Sequence, residues 1–240
     1  METTTMTLDR PGSKARPRWT LLVLAMVTLA QPTVSWTQHS GAEHGHNHDS
    51  EGSVERWLPH LEADSRDRWQ RPDELIGLLE ISPGMVVADL GAGTGYFLPG
   101  LSAAVGPEGR VLALDVDREL VEHMVERSRD QGLANVEARV VPFDDPGLDP
   151  GSVDRVLIVN TWHHIDGRRA YAGKLAAALA DGGRMYVVDF TEESPHGPPN
   201  NHRLSAAEVQ AELEAGGLTA QVIDEDLPHQ YVVVARRATP

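Results

Sequence analysis

The 240-residue sequence predicts an α/β domain built on a doubly wound sheet of seven strands. Three observations carry that prediction. From Val54 to Pro240, short apolar runs alternate with amphipathic segments. The apolar runs, Met85–Leu90 first among them, are continuous rather than alternating, as when helices cover both faces of a sheet. A glycine-rich turn, Gly91-Ala92-Gly93-Thr94-Gly95, separates that first run from Phe97, Leu98, Leu101 and Val105 at helical spacing. The length suits one well-buried domain plus a tail.

Ahead of the domain, residues 10–18 are basic, and Trp19–Ala30 is apolar apart from Thr20 and Thr28. That order is expected of a signal peptide or membrane anchor occupying residues 1–35. A full span needs roughly 18 or more apolar residues, and Gln31 and Pro32 interrupt this one early. Cleavage after Ala30 or Ser35 suits the small-residue rule, and an uncleaved segment would place the domain outside the cytoplasm. Residues 36–53 read as a polar linker containing His44, His46 and His48. These histidines are either metal ligands or part of a solvated tail without the outer contacts that fix a site.

Within the domain, residues 54–240, Pro72 opens a helix carrying Leu75, Ile76, Leu78 and Leu79, and Ser82-Pro83-Gly84 stops it. After the glycine turn and its helix, Arg110–Asp115 is predicted as a second strand. Leu120, Met124 and Ser128 then mark one helix face, closed by Gly132. Val136–Val141 and Val153–Val159 are the predicted third and fourth strands. Tyr171, Leu175 and Leu179 line the next helix, expected to end at Asp181-Gly182-Gly183 ahead of a fifth strand, Arg184–Phe190. Ser205 and Glu208 form a capping box for a last helix ending at Gly216-Gly217, and strands near Thr219–Ile223 and Gln230–Ala235 finish the sheet.

The net charge is -15, from 21 basic against 36 acidic residues. Four of the basic residues, Arg10, Lys14, Arg16 and Arg18, lie in the leader, so the domain itself is more acidic still. Such a surface repels phosphate backbones and argues against a nucleic-acid substrate. The absence of cysteine excludes disulfides, thiolate metal sites and cysteine nucleophiles.

A glycine turn between a buried strand and a helix lets a ligand approach the backbone beside the helix's positive end. A dinucleotide fingerprint requires Gly-x-Gly-x-x-Gly/Ala, and Tyr96 occupies the third small position, so a nicotinamide cofactor fits poorly. The frame is instead Asp89-x-Gly91-x-Gly93-x-Gly95. Read with its flanks as VVADLGAGTGYF, it resembles the first motif of class I S-adenosylmethionine-dependent methyltransferases. Arg110-Val-Leu-Ala-Leu-Asp115 resembles that family's second strand ending in an acid. The segment from Val153-Asp154 to Asn160-Thr-Trp-His-His164 resembles the fourth-strand motif of its small-molecule branch. Asp181-Gly-Gly-Arg184 and the stretch from Leu204-Ser-Ala-Ala-Glu208 to Ala215-Gly-Gly217 resemble its later motifs, so the likeness runs over residues 66–236.

The resemblance implies a Rossmann-like sheet with its last strand antiparallel, and bound S-adenosylmethionine. Gly91, Ala92, Gly93 and Gly95 would then lie beneath the methionyl part, and Asp89 would face the ammonium group. Asp115, about 20 residues after Gly95, would accept the ribose hydroxyls, and Val116 would pack on the adenine. Asp144 is the first choice for the adenine amino group. The loop departs from the family pattern, so Asp145 is an alternative. Asn160 would meet the cofactor through its backbone. Removing a proton from a hydroxyl or acidic C–H acceptor calls for a base, and His163 and His164 follow the fourth strand where the acceptor should lie. His196 and His202 are second candidates, Trp162 is either a pocket wall or core, and Trp69 and Gln70 are candidates for a lid. No Asn-Pro-Pro-Tyr or Asp-Pro-Pro-Tyr follows the fourth strand, which argues against methylation of adenine or glutamine amino groups. The lack of cysteine removes the arsenite and cysteine-dependent cytosine mechanisms. A small-molecule, quinone-like or lipid acceptor is expected. The alternatives are an exported, non-catalytic module binding cofactor or metal, and a cytoplasmic enzyme.

Overall fold

In a computed structural model, which describes residues 52–63 and 65–238, the continuous apolar runs become buried strands. The expected export segment and the His44–His48 stretch lie outside the described residues. The strands are β1 (Val86–Leu90), β2 (Arg110–Asp115), β3 (Val136–Val140), β4 (Val153–Val159), β5 (Leu179–Phe190), β6 (Leu218–Ile223) and β7 (Gln230–Arg237). They form one sheet in the order β3-β2-β1-β4-β5-β7-β6. The pairings from β3 across to β5 are parallel, and β7 runs antiparallel to both β5 and β6, as the resemblance implies.

Among the described residues seven α-helices accompany the sheet: α1 (Ser53–Leu61), α2 (Arg66–Gln70), α3 (Pro72–Leu78), α4 (Leu98–Val105), α5 (Arg118–Asp130), α6 (Arg168–Ala178) and α7 (Ala206–Ala215). Successive strand residues point to opposite faces. Val87 and Leu157 therefore pack with Leu75, Leu98, Leu101 and Met124 on one side. Ala88 and Ile158 pack with Tyr171, Leu175, Val209 and Leu213 on the other. The order of strand addition reverses between the parallel neighbours β1 and β4, which opens a crevice at their C-terminal ends, where ligands of such sheets bind. A surface hollow bounded by Gly106, Gly109, Arg110 and Asn135 lies at the opposite end of β1 and β2.

Several local devices hold the helices. Asp117 Oδ1 accepts from the backbone N–H groups of Glu119 and Leu120 at 2.9 and 3.4 Å and caps α5. The Ser205–Glu208 capping box opens α7 as expected. Arg155 of β4, only 6% exposed, donates to Leu79 O at 2.6 Å and to Glu80 O at 3.2 Å, satisfying carbonyls at the end of α3.

Two features differ from expectation, and the alternatives at Trp162 are decided. Helices α1 and α2 precede the helix at Pro72 that the sequence predicts to be the first. The Asp181-Gly182-Gly183 stop does not end α6: the helix ends at Ala178, and Leu179, fully buried, is already extended and pairs with Val153. The register then jumps to Arg155 opposite Arg184, so the glycine pair forms a bulge inside β5, with Gly182 at φ +77. Trp162 is core: it is fully buried, and its Nε1 donates to Glu212 at 2.9 Å. Among the described residues no helix is long and apolar enough to cross a membrane.

Candidate active site

The chain leaves β1 through Gly91, whose φ of +71 lies in the left-handed region. A Cβ there would stand 2.4 Å from Thr161 Oγ1, so the turn is pressed against the exit from β4 and only glycine fits. Gly91 and Ala92 donate their N–H groups to Leu114 O at 2.8 and 3.1 Å, fixing the turn beside the end of β2. Gly95 packs on Leu98 and Met124.

Two carboxylates flank this turn. Asp115 ends β2 at 7% exposure and accepts from Gly93 N at 2.8 Å through Oδ2 and from Asp117 N at 3.0 Å through Oδ1. Burial pushes its pKa up, against the pull of those backbone bonds. Each oxygen has lone-pair capacity beyond the bond it accepts. Asp89, 2% exposed, stands inside β1 with no hydrogen-bond partner for Oδ2. Burial pushes its pKa up to about 7, the Arg66 cation opposing and the Asp115 charge adding. A buried, orphaned carboxylate oxygen beside a bare glycine turn fits a ligand that is cationic at one end and carries hydroxyl donors at the other.

Helices α1 and α2 roof this turn. Leu61 Cδ1 lies 3.1 Å from where a Gly93 Cβ would stand. Glu62 accepts from Thr94 Oγ1 at 2.6 Å and pairs with Arg127 at 2.5 Å. At the start of α1, Gly52 N and Ser53 N donate to the Glu119 carboxylate at 3.0 and 2.6 Å, and Ser53 Oγ donates to Asp117. Arg66 lies 3.9 Å from the Tyr96 ring centroid, and the Tyr96 hydroxyl bonds Asp67. The bulk of Tyr96 thus serves as a platform for the roof.

Beyond β4, Asn160 takes a left-handed φ of +54 and donates its N–H to Val188 O at 2.8 Å. A single 3-10 turn, Trp162–His164, then carries the two adjacent histidines, whose ring centroids lie 4.1 Å apart. His164 is exposed. The His163 side chain is 5% exposed, and its Nδ1 lies 2.9 and 3.0 Å from the two carboxylate oxygens of Asp189, itself equally buried at the end of β5. Asp189 was not foreseen. Its only sequence signal is an acid after the apolar run of the fifth strand.

Beside this pair stands an aromatic wall. Phe190 is 6.5 Å from the His163 ring and 6.0 Å from Trp69, and Trp69 stacks on His196 at 4.5 Å and 18°. Burial, and His229 at 5.4 Å between ring centroids, hold His196 below the ordinary imidazole pKa. Arg203 fastens the loop that carries His196, donating to the carbonyls of Thr191, Glu192, Ser194, His196 and Pro198. His202 lies exposed on that loop's 3-10 turn. Trp69 and Gln70 thus belong to the roof over the site.

The adenine-side candidates are less closely gathered. Val116 is half-buried and packs against the α6–α7 side of the core. Asp144 is exposed on the loop after β3. Asp145 accepts from Gly147 N at 2.8 Å and pairs with Lys174 at 3.1 Å, and these bonds hold it below the usual carboxylate range.

Residues 87–183 match the methyltransferase domain family. The crystal structure of a SAM-dependent methyltransferase from Aquifex aeolicus superposes with a TM-score of 0.71 at 28% identity, over 75% of this chain and 96% of that one. Nocamycin O-methyltransferase of Saccharothrix syringae is 29% identical over 111 residues, which is 46% of this chain and 40% of the relative. The ubiquinone/menaquinone biosynthesis C-methyltransferase of Bordetella avium is 31% identical over 120 residues, 48% of this chain and 45% of the relative. The chain thus spans under half the length of these curated relatives. With the strand order, the glycine turn between its two acids and these likenesses taken together, the described domain is similar in fold and in its central sequence to S-adenosylmethionine-dependent methyltransferases.

Proposed function

We propose that the domain methylates a small-molecule acceptor and that His163, held by Asp189, is the general base. S-adenosylmethionine, when bound, supplies an electrophilic methyl group on a sulfonium. The backbone of Gly91, Ala92, Gly93 and Gly95 would carry its methionyl part, and Asp89 would take the ammonium. Asp115 would accept the ribose hydroxyls, Asn160 would offer its backbone, and Val116 and Asp144 would serve the adenine. The Asp189 carboxylate accepts the His163 Nδ1–H, which fixes the tautomer and leaves Nε2 to take the acceptor's proton. The carboxylate then stabilises the imidazolium that forms. The observation that carries this reading is that buried pair, which joins the turn after β4 to the end of the adjacent strand β5, two residues on from the Thr161 that faces Gly91. The aromatic wall of Trp69, Phe190 and His196 favours an unsaturated, quinone-like acceptor over a saturated lipid.

Isothermal titration with S-adenosylmethionine tests the class, and no binding would overturn it. His163→Gln and Asp189→Asn test the base, once labelled cofactor and a panel of phenols, quinols and lipid extracts have identified an acceptor. Each should lower turnover by ~100-fold or more with cofactor affinity nearly intact. Variants that turn over like the parent would remove His163 from this role. We also propose that residues 1–35 carry the domain to or across a membrane. A mature N-terminus at Gln31 or Trp36 by mass spectrometry would support that, and an intact chain found wholly in the cytosolic fraction would sink it.

A further inference from the structure

Three side-chain amides close a ring at the edge of the site. Gln70 ends α2, Asn160 follows β4 and Gln230 begins β7. Gln70 Nε2 donates to Gln230 Oε1 at 2.7 Å, Gln230 Nε2 to Asn160 Oδ1 at 2.6 Å, and Asn160 Nδ2 to Gln70 Oε1 at 3.3 Å. Each amide gives one bond and takes one. Arg66 Nη2 also donates to Gln70 Oε1, at 3.4 Å. A guanidinium can only donate, so Arg66 dictates which end of the Gln70 amide faces it and hence the direction of the ring. Gln70 is fully buried and Gln230 is 3% exposed. In such surroundings a closed ring is favourable, whereas a broken one leaves orphaned donors and acceptors.

The ring matters because of what rides on α2. At five residues, α2 is far below the roughly 12 at which an isolated helix becomes even marginal in water. Its position depends on tertiary anchors. It carries Arg66, whose charge opposes the proton affinity of Asp89, and Trp69, which stacks on His196 of the acceptor-side loop. The other two ring members belong to the sheet, one on each side of β5. The ring therefore ties the roof to the rigid part of the molecule.

We propose that the Gln70–Asn160–Gln230 ring is the latch that holds α2 over the glycine turn, so that its members are positioning residues setting the rate at which cofactor escapes. The part concerning cofactor rests on the methyltransferase reading; the part concerning α2 does not. Two variants open the ring by different routes. Gln230→Met keeps the length of the side chain and removes its hydrogen bonds. Asn160→Gly deletes a member while keeping a residue that tolerates the left-handed backbone.

The first measurement is hydrogen exchange of the amides of residues 66–71 in the full, ligand-free chain. Both variants should exchange there about tenfold faster than the parent, with the strands of the sheet unchanged. The control Gln210→Ala, which removes bonds to Glu214 and Ala220 far from the ring, should match the parent. The second is stopped-flow dissociation of S-adenosylmethionine, expected to quicken about tenfold with little change in association. Unchanged local exchange in a variant that folds would overturn the latch, as would faster exchange spread evenly over the sheet. Should Gln230→Met fail to fold, Asn160→Gly decides alone. A parent that binds no S-adenosylmethionine defeats the methyltransferase reading while the exchange result still judges the ring.

Discussion

Asp89 carries the charge on which the empty-handed and ligand-bound forms should differ most. Its folded pKa of about 7 stands above the ordinary 3.8, so the fold without ligand binds this proton more tightly than the unfolded chain does. The sign follows: this residue's burden on stability is absent well below pH 4, grows as pH rises, and is complete above about 7. Asp89→Asn should raise the thermal midpoint of the ligand-free protein at pH 8, by the equivalent of ~1–3 kcal/mol, and leave it nearly unchanged at pH 4. A cationic ammonium stabilises the ionised acid, so S-adenosylmethionine affinity should climb with pH through about 7 in the parent. That climb should vanish in Asp89→Asn, as calorimetric titration at several pH values would show. Asp115→Ala should weaken cofactor binding by ~1–3 kcal/mol through lost bonds to the ribose, and an unchanged affinity would remove that assignment. The glycines and Asp89 were legible in the sequence because they fall in one short motif, and Asp115 because the resemblance marks an acid at the end of the second strand. Asp189 was not, since its pairing with His163 spans 26 positions and exists only once β4 and β5 lie side by side.

Among the elements, those with a physical signature of their own were legible. Arg110–Asp115 and Val153–Val159 are strands over the predicted residues, because fully buried strands show as unbroken apolar runs. Helix α7 announced itself through Ser205 and Glu208. Ser205→Ala should cost about 1 kcal/mol and lower the thermal midpoint by roughly 2–4 °C, measured by circular dichroism. Helices α1 and α2 left no such trace. The first contains Pro59 and exposes Trp57, and the second is five residues long, so both owe their form to the surface beneath them. The β5 bulge was hidden for the opposite reason. Gly182-Gly183 looks like a helix stop, and only the burial of Leu179 against Val153 draws the chain into the sheet earlier. At Gly91, Ala should be destabilising by more than 1 kcal/mol, from the left-handed backbone and the contact with Thr161 together. Chemical denaturation would measure it, and a neutral result would mean that the two turns are not pressed together.

For the molecule as a whole, the acidic balance and the mixed sheet set the terms. A chain at -15 meets acidic partners only against repulsion, which favours small and weakly charged acceptors. The sheet also carries an instruction about time. Strand β6 emerges from synthesis before β7, yet it sits at the edge with β7 between it and β5. While a ribosome still holds β7, β6 lacks its neighbour in the sheet, and β5 presents Val187 and Val188 along an open edge. Gln230, the first residue of β7, arrives last among the members of the amide ring. If the amide ring is the latch we propose, the roof is held only once Gln230 has joined it, so a molecule lacking β7 would hold its glycine turn and both flanking acids but no closed site. A chain stopped after Leu227 should pellet in a sedimentation assay, through that unpaired edge. Supplying Pro228–Arg237 as a separate peptide should return it to the supernatant, and it is the order of manufacture, more than the inventory of parts, that decides when this protein can begin to work.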